Sequence, residues 1–204
     1  MTTTLTTFTA AAQGFSSLVH TIPSDAWDGP GLGEWDLRSL VGHTVRAMTT
    51  VVQYLDRPAA VVDVDSAAEY YSRARAAVAS GAITGIVERG REAGRALGPD
   101  PVATVDAQVV EVLEKLDDGA DRPILVAGDM GMRLHDYLPT RTFELAVHSL
   151  DIAAAAGLAF ELPPAVLAET TVLAARIAVE LGSGVQVLTA LSGRADLPSG
   201  FSVV

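Results

Sequence analysis

Apolar residues return every three or four positions along most of the chain, the period of an amphipathic helix. Over residues 4–22 the row is Leu5, Phe8, Ala12, Phe15, Leu18, Val19 and Ile22. A loop with Gly29-Pro30-Gly31-Leu32-Gly33 at its centre follows, and Asp36 stands where an N-cap is needed for a second helix. That helix carries Leu37, Leu40, Val41, Val45, Met48, Val52 and Leu55 and should end before Pro58. Ser66-Ala-Ala-Glu69 has the capping-box spacing and opens a third region, bent or broken near Gly81 and Gly85 and stopped by Gly98-Pro99. A further helix is predicted over residues 104–116. Ile124–Ala127 and Met132–His135 flank Gly128-Asp129-Met130-Gly131 as either a short hairpin or an extended loop. Helices from Asp136 to Gly157 and from Pro164 to Leu181 complete the pattern, ahead of a tail with a short helix and an extended end. The reading is a mostly α protein: a four-helix bundle over residues 1–158 and a short C-terminal extension, helix plus tail, over residues 159–204.

Composition narrows this further. Of 204 residues 49% are hydrophobic and only 5% aromatic, which supplies a core and favours tight helix-on-helix packing over a large β-sandwich. A net charge of −11 argues against general nucleic-acid or anionic-membrane binding, both of which need basic patches. With no cysteine, disulfides, thiolate metal sites and a cysteine nucleophile are all excluded. The N-terminal residues lack a secretion signal, and no window has the roughly 18 apolar residues of a membrane span, so a cytoplasmic protein is expected.

The segment richest in chemistry runs from Asp136 to Asp151. Tyr137, Arg141, Glu144, His148 and Asp151 recur at helical spacing and share one side, with large apolar residues flanking them. Two readings fit: a solvated polar face, or an inward stripe facing a wet cavity or a metal. A glutamate one turn from a histidine makes a good metal platform, because neutral imidazole and carboxylate both suit Zn²⁺. A third donor would come from His20, His43 or His135; spacing alone leaves the choice open.

Other residues have two readings each. Arg141 and Asp151 either orient Glu144 and His148 or form a surface ion pair. Arg73 and Arg75 either clamp a substrate carboxylate or are solvated. Trp27 and Trp35 either roof a cleft or pack onto the second helix. The glycine-rich loop at 29–33 does not match a phosphate-binding spacing, and the Gly81/Gly85 and Gly90/Gly94 pairs allow close helix packing.

Trp35-Asp-Leu-Arg-Ser-Leu-Val-Gly-His43 together with Arg141-Thr-Phe-Glu144-Leu-Ala-Val-His148-Ser-Leu-Asp151 resembles the signature of the mycothiol-dependent maleylpyruvate isomerase family, among the DinB-like metal-binding bundles. The segment from Leu191 to Val204 is similar to the closing segment of many relatives. The resemblance implies a divalent metal, usually zinc, held by His43, Glu144 and His148, and mycothiol as a thiol cosubstrate. It also implies a small electrophile whose double bond the metal-activated thiolate adds to. Fuller isomerases carry a larger C-terminal domain than the helix and tail that follow Leu162 here. A metal-dependent hydrolase with the same ligands and a non-catalytic ligand- or partner-binding bundle are the competing functions; monomer and homodimer are equally compatible with the sequence.

Overall fold

The computed structural model describes residues 3–81 and 85–204. Its helices are α1 (Thr3–Val19), α2 (Leu37–Leu55), α3 (Ala67–Ala79), α4 (Ile86–Ala96), α5 (Pro101–Lys115), α6 (Leu134–Ala156), α7 (Pro164–Glu180) and α8 (Gly184–Leu191). A two-stranded antiparallel hairpin, β1 (Pro123–Leu125) and β2 (Gly131–Arg133), pairs Ile124 with Met132 ahead of α6. The hairpin, not the extended loop, is the outcome for the segment around Gly128. Among the described residues no helix is long and apolar enough to cross a membrane.

Helices α1, α2, α5 and α6 pack around one core, each touching two of the others. Phe8 and Phe15 of α1, Leu40 and Met48 of α2, Val105 and Val112 of α5, and Leu145 and Ile152 of α6 are all buried there. Those of α1 and α2 are residues of the apolar rows, and burying the rows is what fixes these two helices in the bundle. Helix α7 covers α1, α3 and α6, and α8 rests on α7.

Local signals explain the ends. Asp36 caps α2 by accepting the Ser39 N–H at 2.7 Å, and Asp100 caps α5 through the Ala103 N–H at 3.0 Å. Ser66 accepts the Glu69 N–H at 3.2 Å, but Glu69 reaches back to the N–H of Asp65 rather than Ser66, so the capping box is shifted by one residue. The first helix stops at Val19, short of Ile22, because the chain turns through hydrogen bonds from Thr21 and Ile22 to Leu18 and Val19.

The third region is two helices. Gly81 and Gly85 both have positive φ at its break, with residues 82–84 outside the described part, and neither of the two makes a close helix contact. Of the other pair, Gly94 does, whereas Gly90 lies against the Trp35 indole. A Cβ on Gly42 would stand 2.2 Å from the backbone of Gly94, and one on Gly94 would stand 2.8 Å from Ser39. Helices α2 and α4 therefore meet backbone to backbone, which only glycine permits.

Candidate metal centre

Helix α6 resolves the two readings of its polar stripe: the stripe faces inward. Tyr137 is buried, Arg141 is 9% exposed, and the side chains of Glu144 and His148 are 24% and 15% exposed. The opposite face, with Thr142, Ala146, Ser149 and Ala153, is buried as well. A solvated polar face is thus overturned, because α1, α2 and α7 together enclose the helix. Helix α2 is interior for the same reason, packing against α4, α5 and α6.

The enclosed stripe meets α2 at His43, whose ring lies 5.0 Å from that of His148. The Tyr54 and Tyr137 rings meet at 5.7 Å, an equal distance forward along α2 and backward along α6, so the two helices run antiparallel. One donor atom each from His43, Glu144 and His148 falls within 4.8 Å of the others. Of the three histidines open to choice, His43 is the one brought to the stripe. His20 pairs with Asp106 of α5 at 2.9 Å, and His135 lies beside Asp121 at the start of α6.

Each of the three has a support. His148 Nδ1 lies 3.0 Å from Asp151 Oδ2, and its Nε2 lies 3.3 Å from Glu144 Oε2. Tyr71 of α3 donates its hydroxyl to Glu144 Oε1 at 2.7 Å. The Trp35 ring stacks on His43 at 4.4 Å, fixed by its Nε1–H bond to the Val87 carbonyl at 2.9 Å and by Gly90, where a Cβ would strike the indole at 2.5 Å.

Electrostatics separate the two imidazoles. Burial and the neighbouring His148 charge push His43 down to about 4, so it is neutral at pH 7. Burial also works against a charged His148, but its hydrogen bonds to Asp151 and Glu144 outweigh it and push the group up to about 9. Glu144 is held well below the usual carboxylate range: burial opposes this, and His148, the Arg141 charge and the Tyr71 hydroxyl overcome it. Burial and the Glu144 charge keep Tyr71 protonated and able to donate.

The donor set fits a divalent cation. Glu144, His148 and Asp151 satisfy one another as a chain of charges, but His43 does not join it: its buried Nδ1 has no hydrogen-bond partner among the described residues. A buried polar nitrogen left unpaired is costly, and two imidazoles with one carboxylate are suitable ligands for zinc or a similar ion.

The other expected residues lie in several places. Asp151 supports His148 as anticipated in geometry, whereas Arg141 makes no hydrogen bond to Glu144 and instead donates Nε–H to Thr140 Oγ1 at 2.8 Å. Arg73 is tied to Glu69 at 2.6 Å on the exposed side of α3, and Arg75 points to the Ser202 carbonyl beneath the C-terminal tail. Trp27 is buried under Arg38, with 5.5 Å between guanidinium and ring. Sequence reasoning missed Tyr71 and its neighbour Tyr70. The available signal was scarcity: all four tyrosines of the chain, Tyr54, Tyr70, Tyr71 and Tyr137, converge on one cluster.

An antiparallel helical bundle with an enclosed two-histidine, one-carboxylate cluster is the class of protein that this geometry defines. A family model described as mycothiol maleylpyruvate isomerase N-terminal domain matches residues 8–153, and the chain belongs to that family. No curated protein and no solved structure matches it.

Proposed function

We propose that the chain is a metal-dependent isomerase or transferase that uses a low-molecular-weight thiol, mycothiol, against a small electrophile. His43, Glu144 and His148 would hold one divalent cation, zinc by the character of the donors. The observation that carries the reading is the unpaired, buried Nδ1 of His43 beside an otherwise self-satisfied Glu144–His148–Asp151 chain. When bound, the cation supplies Lewis acidity that lets a coordinated thiol be present as the nucleophilic thiolate at neutral pH.

The chain's own groups orient the donors. Asp151 takes the Nδ1–H of His148 and so leaves Nε2 as the ligating nitrogen. Tyr71 occupies Oε1 of Glu144 and leaves Oε2 on the His148 side. Trp35 covers His43 and keeps water from one face of the ring. A chain with no cysteine must take its sulfur from a cosubstrate. On this reading residues 1–158 carry the chemistry and residues 159–204 are an extension.

Elemental analysis of the wild type beside Glu144→Ala and His148→Ala, followed by calorimetric titration with mycothiol, tests the proposal. About one zinc per chain in the wild type, loss of it in both variants, and mycothiol binding only to the loaded protein are expected. Metal retained in both variants refutes the ligand set, and a loaded wild type that does not bind mycothiol refutes the thiol chemistry.

A further inference from the structure

Helix α6 carries a second polar group that the metal reading leaves unused. Arg141, one turn before Glu144, is 9% exposed, yet among the described residues it is ion-paired with no carboxylate. Its face is covered: the guanidinium lies 4.8 Å from the Tyr137 ring and 5.7 Å from the Tyr70 ring. Stacking satisfies the plane of a guanidinium but not its edge, where five N–H bonds point outward. One of the five is used, by Thr140 Oγ1. Among the described residues the terminal nitrogens of Arg141 do not belong with the buried polar atoms that lack a partner, so the remaining edge of this permanent charge is still open to solvent and to an anion.

The chain has acids to spare, 25 against 14 basic residues, so this lack of a partner is not for want of carboxylates. Arg46 repeats the arrangement on the facing helix. It stands one turn after His43, is half-buried, and also lacks an ion pair among the described residues. Because α2 and α6 are antiparallel, one turn forward from His43 and one turn back from Glu144 lead in the same direction along the seam. Both charges act on His43 and on Tyr54. Arg38 is half-buried and without an ion pair too, but it donates to the Gly98 carbonyl at 3.0 Å and lies over Trp27, and the likewise unpaired Lys115 and Arg176 are exposed to water, where an unpaired cation costs little.

We infer that Arg141, with Arg46 on the facing helix, is the anion-reading element of this site, its free N–H edge taking a carboxylate of the small-molecule ligand. A planar carboxylate matches the two-pronged edge of a guanidinium, and the stacked tyrosines hold that edge in place before the ligand arrives. This deepens the function proposed above and rests on it for the ligand's place beside the metal. It also moves the carboxylate clamp from Arg73 and Arg75, which are committed elsewhere, to the α2–α6 seam.

The test is calorimetric titration of the zinc-loaded protein with succinate and with its uncharged dimethyl ester, with zinc content measured on every sample. Succinate binding to the wild type, no ester binding, and an affinity at least roughly tenfold weaker in Arg141→Met at unchanged zinc content are expected. Arg141→Lys, which keeps the buried cation but not the planar fork, should also bind succinate several-fold more weakly. Equal binding of ester and succinate by the wild type overturns the inference without recourse to any variant, and so does unchanged succinate affinity in Arg141→Met or Arg141→Lys. A wild type that takes up no zinc but binds succinate in an Arg141-dependent way upholds the anion site and refutes the metal reading instead.

Discussion

The hydroxyl of Tyr71 lies 2.7 Å from Oε1 of Glu144, which joins α3 to a cluster otherwise made by α2 and α6 alone. The Tyr71 hydroxyl is also 3.1 Å from the Thr140 carbonyl, so its single proton sits between a side-chain and a backbone acceptor of α6 and lies nearer the carboxylate. Its ring also packs on Phe143 at 5.4 Å, and a phenylalanine in its place would keep that packing. Tyr71→Phe should therefore fold normally and bind zinc roughly 10–100-fold more weakly, as when a ligand's hydrogen-bonding partner is removed. Competition against a fluorescent zinc chelator reads this directly; wild-type affinity would show that Glu144 needs no support from α3.

On the proposed reading, protons would compete with a cation at His148. In the metal-free protein that group is pushed up to about 9, so at pH 7 both of its ring nitrogens carry hydrogen. Binding a cation at Nε2 must release one proton. Zinc affinity should rise about tenfold per pH unit below about 9 and level off above it, provided His43, at about 4, is already neutral. Calorimetry at pH 7 in buffers of different ionisation enthalpy should find about one proton released per zinc; no release would place the metal elsewhere.

Helix α4 controls His43 at one remove. Gly90 lets the indole of Trp35 fit between α4 and the imidazole, tilted 32° to the latter, with no room for a methyl group. Gly90→Ala should destabilise the fold by about 1–3 kcal/mol through overpacking and shift the Trp35 ring from its stacked position. Chemical denaturation measures the first effect, and a changed tryptophan emission spectrum the second. A variant with wild-type stability and emission would mean that α2 and α4 can part at little cost.

Glu169 of α7 makes a prediction of opposite sign. Burial raises its carboxyl above the ordinary value, and its buried Oε1 has no partner among the described residues. Thr7 and Thr142 lie close enough to lower it somewhat, but their hydroxyls are given to the carbonyls of Thr3 and Leu138. A folded-state value above the unfolded one favours the protonated form, so stability from this group is present at low pH and is lost as pH rises through the folded value. Glu169→Gln should accordingly raise the melting temperature at pH 8 and change it little at pH 4. An equal effect at both would assign the change to packing.

Much of the architecture was legible because most residues of the apolar rows read for α1 and α2 become buried. Asp36 and Ser66 announced their helices for a local reason, since a cap needs only its own next three residues. The polar stripe of α6 was ambiguous for a reason equally physical. Five charged or polar residues on one face look the same whether water or other helices lie opposite, and only the packing of α1, α2 and α7 decides. Tyr71 and Arg46 were illegible on the same ground: each matters through a neighbour that the chain brings from far along its length. Resemblance, by contrast, singled out His43, a choice that periodicity had left open.

A cation gripped by His43 on one side and by Glu144 and His148 on the other would tether two helices that lie far apart in sequence, and with them everything the chain threads between. It would then act as a reversible clasp as well as a reagent, shrinking the freedom of the unfolded chain wherever both ends stay attached. Chelation would loosen the α2–α6 seam at the very place where Arg141 and the tyrosines must hold still, so reading a ligand and keeping the ion would rise and fall together.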